Sequence, residues 1–167
     1  MAEHEPTSEV QPTTYNLLFV CTGNTCRSPL AEAIARREVA ERGWSHVAVA
    51  SAGVAAVAGV TASEGAIETA TEQAIDLAAH RTQPLTPTLI EWADLILAMS
   101  ASHMAAVAEL GGAEKTALVT DFLDGAGLGQ PVEDPFGGDI EAYRRTFKQL
   151  ERAIMGLMGR LEPILAP

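Results

Sequence analysis

The sequence predicts an α/β domain, a three-layer sandwich with a four-stranded parallel sheet between helices. Three observations lead there. Short apolar runs alternate with helical patterns along the chain, the order that right-handed crossovers between parallel strands require. The run Leu95-Ile96-Leu97-Ala98-Met99 is continuously apolar, as in a strand buried on both faces. At 167 residues, 47% of them hydrophobic and 20% charged, the chain has the length and make-up of one globular domain with a proper core.

Residues 1–13 are polar, with Pro6 and Pro12 among acids and hydroxyls, and read as a disordered leader to a domain spanning 14–167. The first strand is expected over Tyr15–Val20. A polar loop follows, and then a helix from Pro29 to Arg42, with Ser28 as its N-cap and Gly43 as its C-cap. Val47–Ala50 reads as the second strand, closing at Ser51-Ala52-Gly53. A second helix fits Ser63 to Leu77, with Ser63 as N-cap and Ala66, Ile67, Ala70, Ala74 and Leu77 at helical spacing. A short helix is expected over Thr88–Trp92, a third strand over Asp94–Met99, and a third long helix over Ser102–Leu110, ended by Gly111-Gly112. Thr116–Val119 is a short fourth strand. Gly125–Gly138 is a long loop rich in Gly and Pro, a kind that is often functional. The last helix carries Ile140, Tyr143, Phe147, Leu150, Ile154, Leu157 and Leu161 in steps of three and four, read as a face docked on the sheet rather than a partner-binding zipper. The expected whole is a single-domain sandwich with flavodoxin-like winding.

Charge and composition exclude several function classes. A net charge of −11 argues against nucleic acid or an anionic membrane as partner. Any anion must then be drawn in by a local field. Two cysteines five positions apart are no secretory disulfide framework, and no His cluster stands near them at metal-ligand spacing. The start Met1-Ala-Glu-His-Glu-Pro has neither a basic segment nor an apolar run, which predicts no signal peptide. No apolar stretch is long enough to span a bilayer, so a cytoplasmic protein is expected.

The residues that concentrate chemistry lie between the first strand and the first helix: Cys21-Thr22-Gly23-Asn24-Thr25-Cys26-Arg27-Ser28-Pro29. A strand feeding a loop and then a helix N-terminus gathers backbone N–H groups and the positive end of a helix dipole around one point, an anion site. A thiol attacks as thiolate, the form that a helix N-terminus and a nearby guanidinium favour. Arg27 can grip two oxygens of a phosphate. Gly23 permits close backbone approach, and Asn24 tolerates a left-handed conformation that would turn its N–H inward. Ser28 can donate a hydrogen bond to the sulfur as it leaves. The arrangement suits a phosphocysteine intermediate and calls for no metal or cofactor, since Arg27 and the loop amides supply the positive field.

This run resembles the phosphate-binding loop of the low-molecular-weight protein tyrosine phosphatases, and looks most similar to their protein-arginine-phosphatase branch. The resemblance extends from about residue 14 to residue 160. It implies a cysteine-dependent phosphatase acting on phosphorylated proteins, with inorganic phosphate or other oxyanions able to occupy the site. Cys21, Arg27 and Asp134 are then the catalytic residues, and Thr22, Gly23, Asn24, Thr25, Cys26 and Ser28 complete the loop. One carboxyl can protonate the leaving group and later activate water. The family carries it in an Asp-Pro-aromatic motif on a late loop, matched here by Asp134-Pro135-Phe136, with Phe136 as a pocket wall. Glu133 and Asp139 are adjacent candidates. Ser51 and His80 are assigned, with Asn24 and Ser28, to a hydrogen-bond network that holds the loop open. Cys26 has two readings, a small buried hydrophobe or a redox partner forming a reversible disulfide with Cys21.

Thr25 occupies a position where tyrosine-directed members have a branched aliphatic residue and the arginine-directed branch has Thr. Gly137-Gly138 stand where many tyrosine-directed members place another aromatic, and Ala55-Ala56-Val57-Ala58 lacks a bulky aromatic. These features favour phosphoarginine, with phosphotyrosine as the alternative. Gln83 and Ser100 depart from the family, which often has a basic residue and Asp there, and neither is expected to touch the catalytic set. A thiol-dependent arsenate reductase would need further cysteines downstream, and there are none beyond Cys26. A non-catalytic phosphate-binding or redox-sensing module would lack the nucleophile, the Arg or the acid. A Walker-type site is excluded by the missing Gly-Lys-Ser/Thr ending.

Overall fold

The structure, a computed structural model, describes residues 14–166; the expected leader over residues 1–13 lies outside the described residues. Its elements are β1 (Tyr15–Cys21), α1 (Arg27–Glu41), β2 (Val47–Gly53), α2 (Glu64–Glu72), α3 (Pro87–Trp92), β3 (Leu95–Ala98), α4 (Ala101–Glu109), β4 (Thr116–Leu118) and α5 (Ile140–Leu165). Short 3-10 turns, Ala113–Lys115 and Val119–Phe122, flank β4.

The sheet is four-stranded with order β2-β1-β3-β4, and every pairing is parallel. The winding therefore reverses beside β1, and the crevice above the carboxyl ends at such a switch point is where open α/β sheets bind ligands. β1 alternates its side chains between two cores, as a strand covered on both faces must. Leu17, Phe19 and Cys21 join residues of α1, α2 and α5 on one side. Leu18 and Val20 meet Ile90, Ala93, Ile96 and Val107 on the other, the side of α3 and α4. The α5 stripe Tyr143, Phe147, Leu150, Ile154, Leu157 and Leu161 is buried in the first core, as a docked face.

Several boundaries differ from the sequence reading, each for a local reason. Ser28 is not an N-cap: α1 starts at Arg27, Cys26 occupies the cap position, and no side chain caps it. The hydroxyl of Ser28 is engaged elsewhere, in the site. α2 stops at Glu72 rather than Leu77, because Ala74 adopts a left-handed φ of 59° and the chain turns back on itself. Ser63 is the expected cap, its side chain accepting from the Ala66 amide. β2 continues to Gly53, bringing Gly53 level with Cys21 in the sheet register. The long loop holds no helix or strand from Leu123 to Asp139.

Candidate active site

Cys21 ends β1 with its sulfur 2.9 Å from Ser28 Oγ, the second residue of α1. Between them Asn24 takes a φ of 58°, the left-handed geometry expected of it. Its side chain is buried and acts as a tie. Asn24 Nδ2 donates to Ser28 Oγ at 2.8 Å and to Ser51 Oγ at 2.9 Å. Ser51 Oγ in turn donates to Glu32 Oε1 at 2.9 Å. His80 Nε2 lies 2.8 Å from the Asn24 carbonyl oxygen, and Asn24 Oδ1 accepts from the Gln83 amide at 3.0 Å. The four residues assigned to one network by resemblance thus meet at Asn24.

Gln83 makes no contact with Cys21, Arg27 or Asp134, yet it touches the supporting network twice, since its side-chain amide also donates to the Ser51 carbonyl at 2.9 Å. Ser100 likewise stays off the catalytic set but reaches the loop through a second residue. Its hydroxyl lies 3.0 Å from His103 Nδ1, and His103 Nε2 lies 2.8 Å from Thr22 Oγ1 in the loop. His103 escaped sequence reasoning because a single His on a helix, 81 positions from its partner, carries no motif. Burial pushes its imidazole down to about 4, the charge of Arg27 pushes the same way, and Asp134 opposes both. The ring is neutral at ordinary pH.

Gly53 explains why the loop can sit so close to β2. A Cβ there would stand 2.5 Å from the Thr22 carbonyl oxygen and 2.9 Å from the Asn24 nitrogen. The backbone bonds from Val54 to the Cys21 carbonyl and from Ala55 to the Thr22 carbonyl, both 2.9 Å, complete the attachment.

Across from the loop, the late loop brings its Asp-Pro-Phe run to the same place. Cys21, Thr22, Gly23, Thr25, Cys26, Arg27, Asp134 and Phe136 line one cavity of about 230 Å³. Arg27 is nearly buried, with Nη1 donating to the Val132 carbonyl at 3.4 Å and Nη2 at 3.5 Å from Asp134 Oδ2. The Asp134 side chain is half exposed at 54% while also lining the cavity. Asp134 Oδ1 accepts from the Phe136 amide at 3.1 Å, a local turn that orients the carboxyl. Phe136, 73% exposed, stands at the rim. The two neighbouring acids have other partners. Glu133 pairs with Arg145 at 2.9 Å, and Asp139 caps α5 by accepting from the Ala142 amide at 3.0 Å.

Cys26 is buried, and its thiol and that of Cys21 are both free. Its sulfur lies 3.3 Å from Ser63 Oγ and 3.5 Å from the Tyr143 hydroxyl, contacts that neither motif nor spacing announces. Burial and the Cys26 contact raise the pKa of that hydroxyl, and Ser63 works against them. Among the described residues no group of three or more His, Cys, Asp or Glu is placed to hold a metal ion, and no helix is long and apolar enough to cross a membrane.

A buried sulfur, an uncapped helix N-terminus, a nearly buried guanidinium and a half-exposed carboxyl surround one small cavity, an arrangement that can hold an oxyanion. Comparison with known proteins agrees. The family model described as low molecular weight phosphotyrosine protein phosphatase matches residues 16–164. A protein-arginine-phosphatase of Bacillus subtilis is 41% identical over 147 residues, covering 88% of this chain and 97% of its own. The solved structure of a YwlE arginine phosphatase mutant, with its active-site cysteine replaced by a phosphorylated serine, superposes with a TM-score of 0.81. It is 39% identical and covers 89% of this chain and 97% of that one. Wzb of Vibrio vulnificus, solved in complex with benzylphosphonate, gives a TM-score of 0.79 at 31% identity, covering 88% and 99%. With this match along nearly the whole described chain, the protein belongs to the low molecular weight phosphotyrosine protein phosphatase family.

Proposed function

We propose that the protein hydrolyses phosphoarginine on protein substrates through a phosphocysteine at Cys21. The observation that carries the mechanism is the shared cavity: the sulfur beside Ser28 Oγ at 2.9 Å, with Arg27 and Asp134 lining the same 230 Å³. The phosphoryl oxygens would be held by the loop amides and the Arg27 guanidinium, whose contact with Asp134 is long enough for an oxyanion to displace. The Cys21 thiolate attacks phosphorus as the phosphorus–nitrogen bond breaks, and Asp134 hands its proton to the departing guanidine nitrogen. Asp134, now a carboxylate, takes a proton from water. That water attacks phosphorus, the sulfur–phosphorus bond breaks, and inorganic phosphate and the Cys21 thiolate are regenerated. The Ser28 hydroxyl stabilises the sulfur as a leaving group.

Two observations favour phosphoarginine. Thr25 lines the cavity, presenting a hydroxyl and a methyl where an aliphatic side chain would pack on a phenyl ring. The Bacillus subtilis relative is named for that activity. The test is hydrolysis of a phosphoarginine peptide against a phosphotyrosine peptide, for wild type and Thr25→Ile, with Cys21→Ser as blank. Preference for phosphoarginine in wild type, swinging toward phosphotyrosine in the Ile variant, is the expected result. Preference for phosphotyrosine in wild type would leave the phosphatase reading intact and overturn the substrate.

A further inference from the structure

We infer that His103 is a positioning residue for the phosphate-binding loop, acting through Thr22 and held in place by Ser100. The proposal rests on the phosphatase reading of the site and adds a residue to it. α4 leaves β3 beside the switch point, and Ser100, in its cap position, makes no side-chain bond to the helix amides. Its hydroxyl instead turns to Ser102 Oγ at 2.9 Å and to His103 Nδ1 at 3.0 Å. The ring is 2% exposed, and its other nitrogen reaches Thr22 Oγ1 at 2.8 Å. With a hydroxyl at each ring nitrogen, either neutral tautomer is satisfied, and the two contacts together fix the orientation of the ring.

Thr22 is the residue after the nucleophile. Its carbonyl is tied to the Ala55 amide, and its hydroxyl is tied to His103. The two ties hold the peptide units on either side of Thr22, and so the direction in which the following amides point. Asn24 secures the far half of the loop from the β2 side. His103 secures the near half from the β3 side. The charged groups that act on the ring are Arg27 and Asp134, both on the cavity wall. A protonated ring here would be a second cation beside Arg27 and would compete for Asp134.

The test measures steady-state hydrolysis of the phosphoarginine and phosphotyrosine peptides, and separately the binding of inorganic phosphate by calorimetry. The variants are His103→Ala, His103→Gln, Thr22→Val and the double variant Thr22→Val/His103→Ala, with thermal unfolding recorded for each. His103→Ala is expected to weaken phosphate binding and raise KM together, by about tenfold, since small misplacements of positioned groups cost at least that much. His103→Gln, whose amide reaches the place of Nε2, is expected to recover most of the loss. Thr22→Val should match His103→Ala, and the double variant should be no worse than either single one. Additive losses, or a Gln variant as weak as Ala at equal thermal stability, would overturn the proposal. Phosphate binding is read without turnover. A wild type that binds phosphate yet cleaves neither peptide would sink the phosphatase reading alone, leaving the role of His103 to be decided by the binding series.

Discussion

Asn24 does the work of several residues. Its backbone sits in the left-handed region, its amide nitrogen joins Ser28 to Ser51, and its oxygen receives the Gln83 amide. Removing its side chain leaves the Ser28 and Ser51 hydroxyls and the Gln83 amide each short of a partner, and puts at φ 58° an Ala that tolerates the left-handed region less well than Asn. Asn24→Ala is expected to lower stability by about 1–3 kcal/mol in urea denaturation, because buried groups left unpaired cost that much. It should also slow the catalytic step. Gly53 acts by what it lacks. Its would-be Cβ meets the Thr22 carbonyl at 2.5 Å, so Gly53→Ala must push the loop off β2. On the scale of a reacting geometry displaced by about 1 Å, kcat/KM should fall about a hundredfold. An alanine variant with unchanged kinetics would show that the loop is not held by this contact. Asn24 was legible as a left-handed residue beforehand. Gly53 was legible only as a strand end, since nothing local says which backbone will lie against it.

At the scale of elements, the loop between β1 and α1 could be read because all its chemistry is contiguous: sulfur, glycine, arginine and helix start within nine residues. The end of α2 could not. Ala74 continues the helical spacing on paper, yet it turns the chain at φ 59° so that Leu77 is buried beneath the connection. Tertiary packing overrode a pattern that was correct up to Glu72. α5 shows a close approach of a different kind. A Cβ at Gly156 would stand 2.0 Å from the Phe122 carbonyl oxygen, in the 3-10 turn after β4. Gly156→Ala should therefore separate α5 from that turn and cost about 1–3 kcal/mol by overpacking. This contact is remote from the cavity lining, so kcat/KM should stay within about threefold of wild type once the variant is folded. A large loss of activity without loss of stability would mean that α5 feeds the site directly. The pair Gly53 and Gly156 thus separates a glycine needed by the site from one needed by the fold.

For the molecule as a whole, His103 couples the site to stability. Folded, its pKa is lowered from 6.5 to about 4. Above about pH 6.5 the ring is neutral in both states and contributes no pH dependence. As pH falls from about 6.5 toward 4, the unfolded chain takes up a proton that the folded chain refuses, so stability drops, by up to about 3 kcal/mol from this group. His103→Gln should flatten that part of the stability–pH curve, measured by urea midpoints between pH 4 and 7. Equal slopes in variant and wild type would show that the ring is not buried neutral. Two cores sharing one sheet also make unfolding a global event, because β1 contributes to both.

What the sequence determined by itself was the alternation of strands and helices and the loop from Cys21 to Pro29, since each depends on neighbours in the chain, whereas Asp134-Pro135-Phe136 was singled out by family resemblance. The long α5 stripe belongs with the first two, its periodicity spanning enough turns to be unmistakable. Only the tertiary structure decided that Gln83, Glu32, His103 and Gly53 serve the loop, and that Cys26 meets Ser63 and Tyr143. These pairings join residues far apart in the chain across the carboxyl ends of parallel strands. Hydrogen bonds of about 3 Å are chosen by register and crossover geometry, and no local propensity encodes either.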